Sequence, residues 1–211
     1  MDYELDKLKP RFVPFDKKLI KKIFIGLYLS DFILIFFAYP IYRILLVSLL
    51  LMILYNIFFK KIAFIGNFII AVITALSILM PYWTLQNLKN NIWIFLISMI
   101  IVITLIRELI KDMEDSKLDK KFDYKTLPLI NNKLSYWFLS LYLIFFYFIL
   151  IQFKTEFTSL AFYIFLIFST AIFGISMLNL FHKNYEKITQ LIKLLMLAGI
   201  IFFVYGNQNI G

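Results

Sequence analysis

Cysteine is absent from this 211-residue chain, histidine occurs once, and charged residues make up only 17% of it. Without cysteine there are no disulfides and no thiol chemistry. Nothing in the chain resembles a nucleophile triad, a glycine-rich phosphate loop or a zinc site. The lone histidine, His182, lies in FHKNYEK, where a solvated side chain is expected rather than a metal ligand. The first 22 residues are charged and lack an apolar core followed by a small-residue cleavage site, so no cleavable signal peptide is expected. Neither an internal repeat nor a low-complexity linker is visible, which points to a single domain over residues 1–211.

What the chain has in excess is apolar surface. It is 62% hydrophobic and 19% aromatic, with a mean hydropathy of +0.85, more than a soluble domain of this length could bury. Lipid must be the solvent for most of it, so an all-α polytopic membrane protein is expected. A spanning helix needs about 20 mostly apolar residues. Runs near that length occur at Ile23–Tyr39, Ile41–Phe59, Ile62–Met80, Ile92–Ile106, Leu134–Ile151, Leu160–Leu180 and Ile188–Tyr205, giving seven spans. Pro10, Pro14, Pro40, Pro81 and Pro128 all fall at the ends of these runs or outside them, where a missing N–H costs least, so no span is expected to be interrupted by proline. The fourth run is short, but the charged residues after it keep a helical spacing, and that helix is expected to continue out of the bilayer.

The formal charge of +9 is distributed by side. With the N-terminus in the cytoplasm, nineteen of the 22 Lys and Arg residues fall on the inner side, leaving Arg43, Lys89 and Lys154 outside. That alternation is what the positive-inside rule requires. It accounts for the basic charge without nucleic acid, for which no soluble basic domain exists. The same topology places a cytoplasmic N-terminal segment, 1–22, and a cytoplasmic segment, 107–133, on one side of the membrane.

Six of the 13 acidic residues are gathered in 107–128. At about 100° per residue, Glu108, Asp112, Asp115 and Asp119 fall within roughly 60° of one another on a helix. Like charges at this spacing repel unless they are solvated, paired with cations, or bridged by a hard divalent ion, and Mg²⁺ commonly uses one or two carboxylates together with substrate phosphates. Two readings stand side by side here: a metal and diphosphate site, or a solvated loop whose Lys111, Lys117, Lys120 and Lys121 balance its acids. Asp2 and Asp6, four apart, form a second small carboxylate face on the same side.

Together with LYNIFFKKIAFIGN at 54–67, these acidic stretches resemble the motifs of the UbiA-type membrane prenyltransferases. DYELDKLKPR at 2–11 looks like the end of that family's first motif, N-x-x-x-D-x-x-x-D followed by a basic run with Pro and Arg. RELIKDMEDSKLD at 107–119, with KTLP at 125–128, looks like its second, and is most similar to the branch acting on geranylgeranylglyceryl phosphate. The lysine-then-GN stretch puts Lys60 and Asn67 at matching positions. There are departures: the family's nine spans place the first motif after the second span, so the chain is expected to begin inside that motif, without two helices and the leading Asn. Lys117 and Leu118 also stand where a Gly often precedes the last Asp.

The resemblance implies transfer of an isoprenoid chain from a prenyl diphosphate to a lipophilic or glyceryl phosphate acceptor in the cell membrane, with Mg²⁺ as cofactor. It implies Asp2, Asp6, Asp112, Asp115 and Asp119 as metal ligands, Lys60 and Arg107 as catalytic cations, and Asn67 beside them in substrate binding. The alternative is a truncated or degenerate relative that binds lipid or partner helices without turnover. A small transporter is a third reading, supported only by Asp31 within the first span, an acid that is either functional or neutral and hydrogen-bonded. The 41 aromatic side chains are ordinary lipid-facing and interfacial material, and none is assigned a catalytic role, Tyr55 and Tyr124 near the motifs included.

Overall fold

The computed structural model describes residues 16–37, 41–85, 90–122, 125–154 and 160–206. They form α1 (Lys17–Phe37), α2 (Tyr42–Ile57), α3 (Ile65–Leu85), α4 (Asn90–Asp119), a single turn α5 (Leu127–Ile130), α6 (Asn132–Gln152), α7 (Leu160–Phe181) and α8 (Tyr185–Gly206). Short 3₁₀ turns at Phe59–Lys61 and Lys120–Phe122 follow α2 and α4. Among the described residues there is no strand, only an isolated parallel bridge between Ile62 and Lys125. The seven long helices coincide with the seven apolar runs. Helices α3, α4, α6 and α7 are long and apolar enough to cross a membrane, and α2 is apolar but shorter, at 16 residues. The protein is an all-α, multi-pass membrane protein.

Local chemistry fixes several helix ends. Asn131 caps α6, its Oδ1 accepting the Leu134 N–H at 3.2 Å, which satisfies one of the donors that a helix start leaves open. Pro128 sits in the first turn of α5, where its fixed φ suits the helix and no N–H is needed. Pro81 lies at the end of the apolar stretch Ile65–Tyr82, as expected, and α3 continues through it to Leu85. Only the bond to the carbonyl of residue 77 is forfeited, and neighbouring groups in a membrane bundle can re-satisfy a freed carbonyl. The 30-residue α4 runs through the acidic stretch to Asp119, as its charge spacing requires.

Helix α4 is the axis of the bundle. Of its spanning stretch 61% is buried, against 17% for α3, 33% for α6 and 22% for α7. It packs against α3 on one side and against α6 and α8 on the other; α7 packs on α8, and α2 lies between α1 and α3. The main apolar core is formed by α4, α6, α7 and α8, with Ile106, Phe146, Phe162, Ile188 and Phe202 among its members. The Phe165 and Phe202 rings stack at 5.0 Å between α7 and α8. The α3–α4 contact is different in kind. Asn67, Ala71, Thr74 and Ala75 recur at helical spacing, Ala71 and Ala75 are buried, and the Thr74 and Thr104 hydroxyls share a hydrogen bond at 3.2 Å. Small side chains and interhelical hydroxyl bonds let membrane helices approach closely where no hydrophobic effect drives them together.

Ala71 has no exposed surface, so Ala71→Leu overpacks the α3–α4 seam. The variant is expected to lose about 1–3 kcal/mol, read as a lower melting temperature of the purified protein in detergent, whereas Ile144→Ala, on an exposed face of α6, leaves melting nearly unchanged.

Candidate functional site

At one end of the α3–α4 seam the chain turns sharply between α2 and α3. Gly66 lies in the first turn of α3 against the carbonyl of Phe59: a Cβ on Gly66 would stand 2.9 Å from the Phe59 oxygen and 3.5 Å from the Tyr55 ring. Only glycine permits that approach, and it presses the Phe59–Lys61 turn, with Lys60, onto the start of α3. Phe64 adopts a left-handed backbone conformation, φ 67°, at a cost of roughly 1–2 kcal/mol. Its ring lies 5.2 Å from that of Phe138 on α6, a contact that offsets part of the strain. The Ile62–Lys125 bridge ties the same turn to the segment after α4.

The next residue, Asn67, reaches α4. Its Nδ2 donates to Asp112 Oδ2 at 2.8 Å. One turn earlier on α4, Glu108 is buried with a side chain only 5% exposed, and it pairs with Arg107 and, at 3.9 Å, with Lys111. Asp119 is also buried, while Asp112 and Asp115 are half-buried. The acidic face is therefore partly covered by protein, with Lys111 beside it. These residues lie in the last turns of α4, whose candidate membrane span runs Asn91–Ser116. Asp119, Glu108 and Lys111 all lie within electrostatic reach of Asp112. Burial lowers Lys60, helped by repulsion from Lys111, so the two lysines lie within electrostatic reach of each other.

Of the sequence-derived site residues, Asn67 and Asp112 are in direct contact, Arg107 is engaged by Glu108, and Lys60 sits half-buried in the turn that abuts Gly66. Asp2 and Asp6 lie outside the described residues, as does Tyr124, and so does the side chain of Asp31. His182 is exposed at the end of α7, its Nδ1 2.8 Å from the Leu178 carbonyl, as expected of a solvated residue. Sequence placed Glu108 on the acidic face without its ion pairs, and assigned nothing to Gly66, marked only by its position in the GN pair, or to Thr126, whose hydroxyl is buried without a hydrogen-bond partner.

Among the described residues no three His, Asp or Glu side chains gather into a metal-sized cluster. Helix geometry gives the reason: Asp112 and Asp119 are seven residues, about 10 Å, apart along the axis, whereas Mg²⁺ holds its oxygens at about 2.0–2.1 Å. One ion can take one or two of these carboxylates, and the donor set of hard oxygens on a single face suits that ion, with phosphate completing the coordination.

The model of the UbiA prenyltransferase family matches residues 15–204. The chain belongs to the UbiA prenyltransferase family. A curated relative, the digeranylgeranylglyceryl phosphate synthase of Methanosphaera stadtmanae, is 35% identical over 141 residues, covering 61% of this chain and 49% of the relative. The chain thus spans about half the length of that relative. No solved structure matches it.

For this UbiA family member, Gly66→Ala sets helix propensity, which gains about 1 kcal/mol over glycine, against a 2.9 Å clash with backbone. The clash is expected to win, lowering the melting temperature. Asn67→Leu leaves the half-buried Asp112 without its donor and is expected to cost about 1–3 kcal/mol in the same measurement, whereas Asp112→Asn together with Asn67→Leu costs less than the sum of the two changes.

Proposed function

We propose that this chain carries out Mg²⁺-dependent transfer of an isoprenoid chain from a prenyl diphosphate to a lipophilic or glyceryl phosphate acceptor. The observation that carries the reading is the Asn67–Asp112 hydrogen bond: it joins the lysine-then-GN stretch to the second acidic motif, at the end of the bundle that also holds Lys60 and Arg107. Family membership supports the reaction class, and the printed activity of the M. stadtmanae relative supports an acceptor of the glyceryl phosphate type.

On this reading Asp112 and Asp115, with Asp119 one turn further, hold Mg²⁺, together with Asp2 and Asp6 of the N-terminal segment. Bound Mg²⁺ supplies neutralisation of the charge that develops on the departing diphosphate. Asn67 fixes the orientation of Asp112, so that its second carboxylate oxygen is presented in a defined direction. Lys60 and Arg107 add fixed positive charge where the leaving oxygens collect it, an electrostatic contribution that ranks among the largest in reactions of this kind. Water must be kept from the allylic cation until the acceptor attacks, and a site covered at the membrane edge meets that need. The side bias of Lys and Arg orients this end toward the cytoplasm of the cell membrane.

Diphosphate release from geranylgeranyl diphosphate, assayed with purified protein and Mg²⁺, tests the proposal. Asp112→Ala and Asp115→Ala are each expected to lower the rate by about a hundredfold or more, and chelation of Mg²⁺ to abolish it. Equal rates in the unaltered protein and both variants would exclude catalysis at this face of α4.

A further inference from the structure

Helix α1 begins with the most basic stretch of any long helix in the bundle: residues 17–23 read KKLIKKI. At about 100° per residue, positions 17, 18, 21 and 22 span about 140° of the helix, and positions 19, 20 and 23 span about 100° of the remainder. Four lysines therefore occupy one side of these two turns, and a leucine and two isoleucines the other. The neighbouring acid, Asp16, is engaged at the helix start, its Oδ1 accepting the Lys18 N–H at 2.9 Å. Lys18, Lys21 and Lys22 are exposed, and among the described residues none of these three makes an ion pair.

The apolar side of the same turns is uncovered as well, with Leu19 and Ile23 54% and 52% exposed. Helix α1 packs on α2. Only positions 38–41 separate the two, which makes them an antiparallel helical pair. They are pinned where Asn56 Nδ2 donates to the Tyr28 hydroxyl at 3.3 Å. From that level the lysines lie toward the start of α1, and Ile57 and Phe58 toward the same end of α2. Both of those side chains are more than half exposed. Cations without counter-charges thus stand next to apolar side chains without cover, on the outer face of the bundle.

The two halves of this surface restrict what can occupy it. A soluble anion would serve the lysines and leave Leu19, Ile23, Ile57 and Phe58 in water. Hydrocarbon alone would cover those four and leave the lysines without counter-charge. An anionic lipid meets both conditions, and lysine suits it, because the four-carbon stem lies along apolar surface while the ammonium reaches the headgroup.

We propose that the start of α1 is a docking surface for anionic phospholipid, with the headgroup phosphate among Lys17, Lys18, Lys21 and Lys22 and the chains along Leu19, Ile23 and the end of α2. Basic clusters beside a membrane helix attract anionic headgroups, with a gain in binding of about fivefold for each lysine. The surface lies outside the acidic face of α4 and does not depend on the prenyl transfer reading.

Vesicles of phosphatidylcholine containing a trace of diazirine-labelled lipid test this on the full chain, with the label in the same acyl position of either phosphatidylglycerol or phosphatidylcholine. After photolysis, Leu19 and Ile23 are expected to carry about tenfold more adduct from the anionic lipid, whereas Ile151 and Leu160, exposed at the other end of the bundle, take up both equally. Equal labelling at all four positions would overturn the proposal. The pairs Lys17→Gln with Lys18→Gln, and Lys21→Gln with Lys22→Gln, are each expected to reduce the preference at Leu19 and Ile23 to about twofold or less. Lys187→Gln with Lys193→Gln removes the same charge from exposed positions on α8 and is expected to leave the preference intact. An equal loss in that variant would assign the preference to net charge and not to α1, and an undiminished preference in both α1 variants would likewise exclude the site. Excess soluble glycerol phosphate at constant ionic strength is expected to leave the adducts in place. Their loss would assign the lysines to a free phosphate and overturn the lipid source.

Discussion

A carboxylate covered by protein must be given a counter-charge or a donor, and this fold is arranged around meeting that condition on α4. Glu108 is buried because Arg107 and Lys111 neutralise it; Asp112 is drawn under α3 because Asn67 donates to it. Breaking such an arrangement by removing one partner costs far more than the arrangement itself contributes, so the acids fix where their neighbours must stand. Asn67 can reach Asp112 only if α3 starts close to α4. That start in turn requires the small residues of the seam and the glycine that admits the Phe59 carbonyl. Lys60 is carried into place by the same turn.

Much of this was legible in the sequence, and the boundary between what was and what was not is a physical one. The positions of the long helices follow from the apolar runs, because hydrocarbon thickness sets the length of such runs. The extension of α4 through Asp119 and the common face of its acids follow from helical period alone. The path of α3 through Pro81 did not follow, since the penalty of proline inside a helix depends on neighbours that can satisfy the freed carbonyl. Nor could the sequence say that Arg107 is engaged by Glu108, a choice between adjacent side chains that only rotamers and burial decide. The resemblance named Asn67 and Asp112 separately, and their pairing across 45 residues is visible only in the structure. Gly66 shows the same limit: a glycine in an apolar stretch is uninformative until the carbonyl it accommodates is seen.

Helix α4 also separates two kinds of interior. Toward α3 it shows hydroxyls, an amide and carboxylates against small side chains, a surface held together by directed bonds. Toward α6 and α8 it shows isoleucines in a core of Phe, Ile and Leu, where packing is undirected and space can remain. A helix half-turn thus divides polar chemistry from apolar volume, and the two can be altered independently.

The charge count on the polar side constrains any ligand. Glu108, Asp112, Asp115 and Asp119 share one face of α4, and Arg107 and Lys111 pair with Glu108. Glu108 and Asp119 already act on Asp112 as like charges. An anionic headgroup arriving alone would meet this face with repulsion. On the proposed reading it would arrive with a divalent cation, for which Asp112, Asp115 and Asp119 would serve as ligands. The hydrogen bond from Asn67 fixes the orientation in which Asp112 would meet that ion.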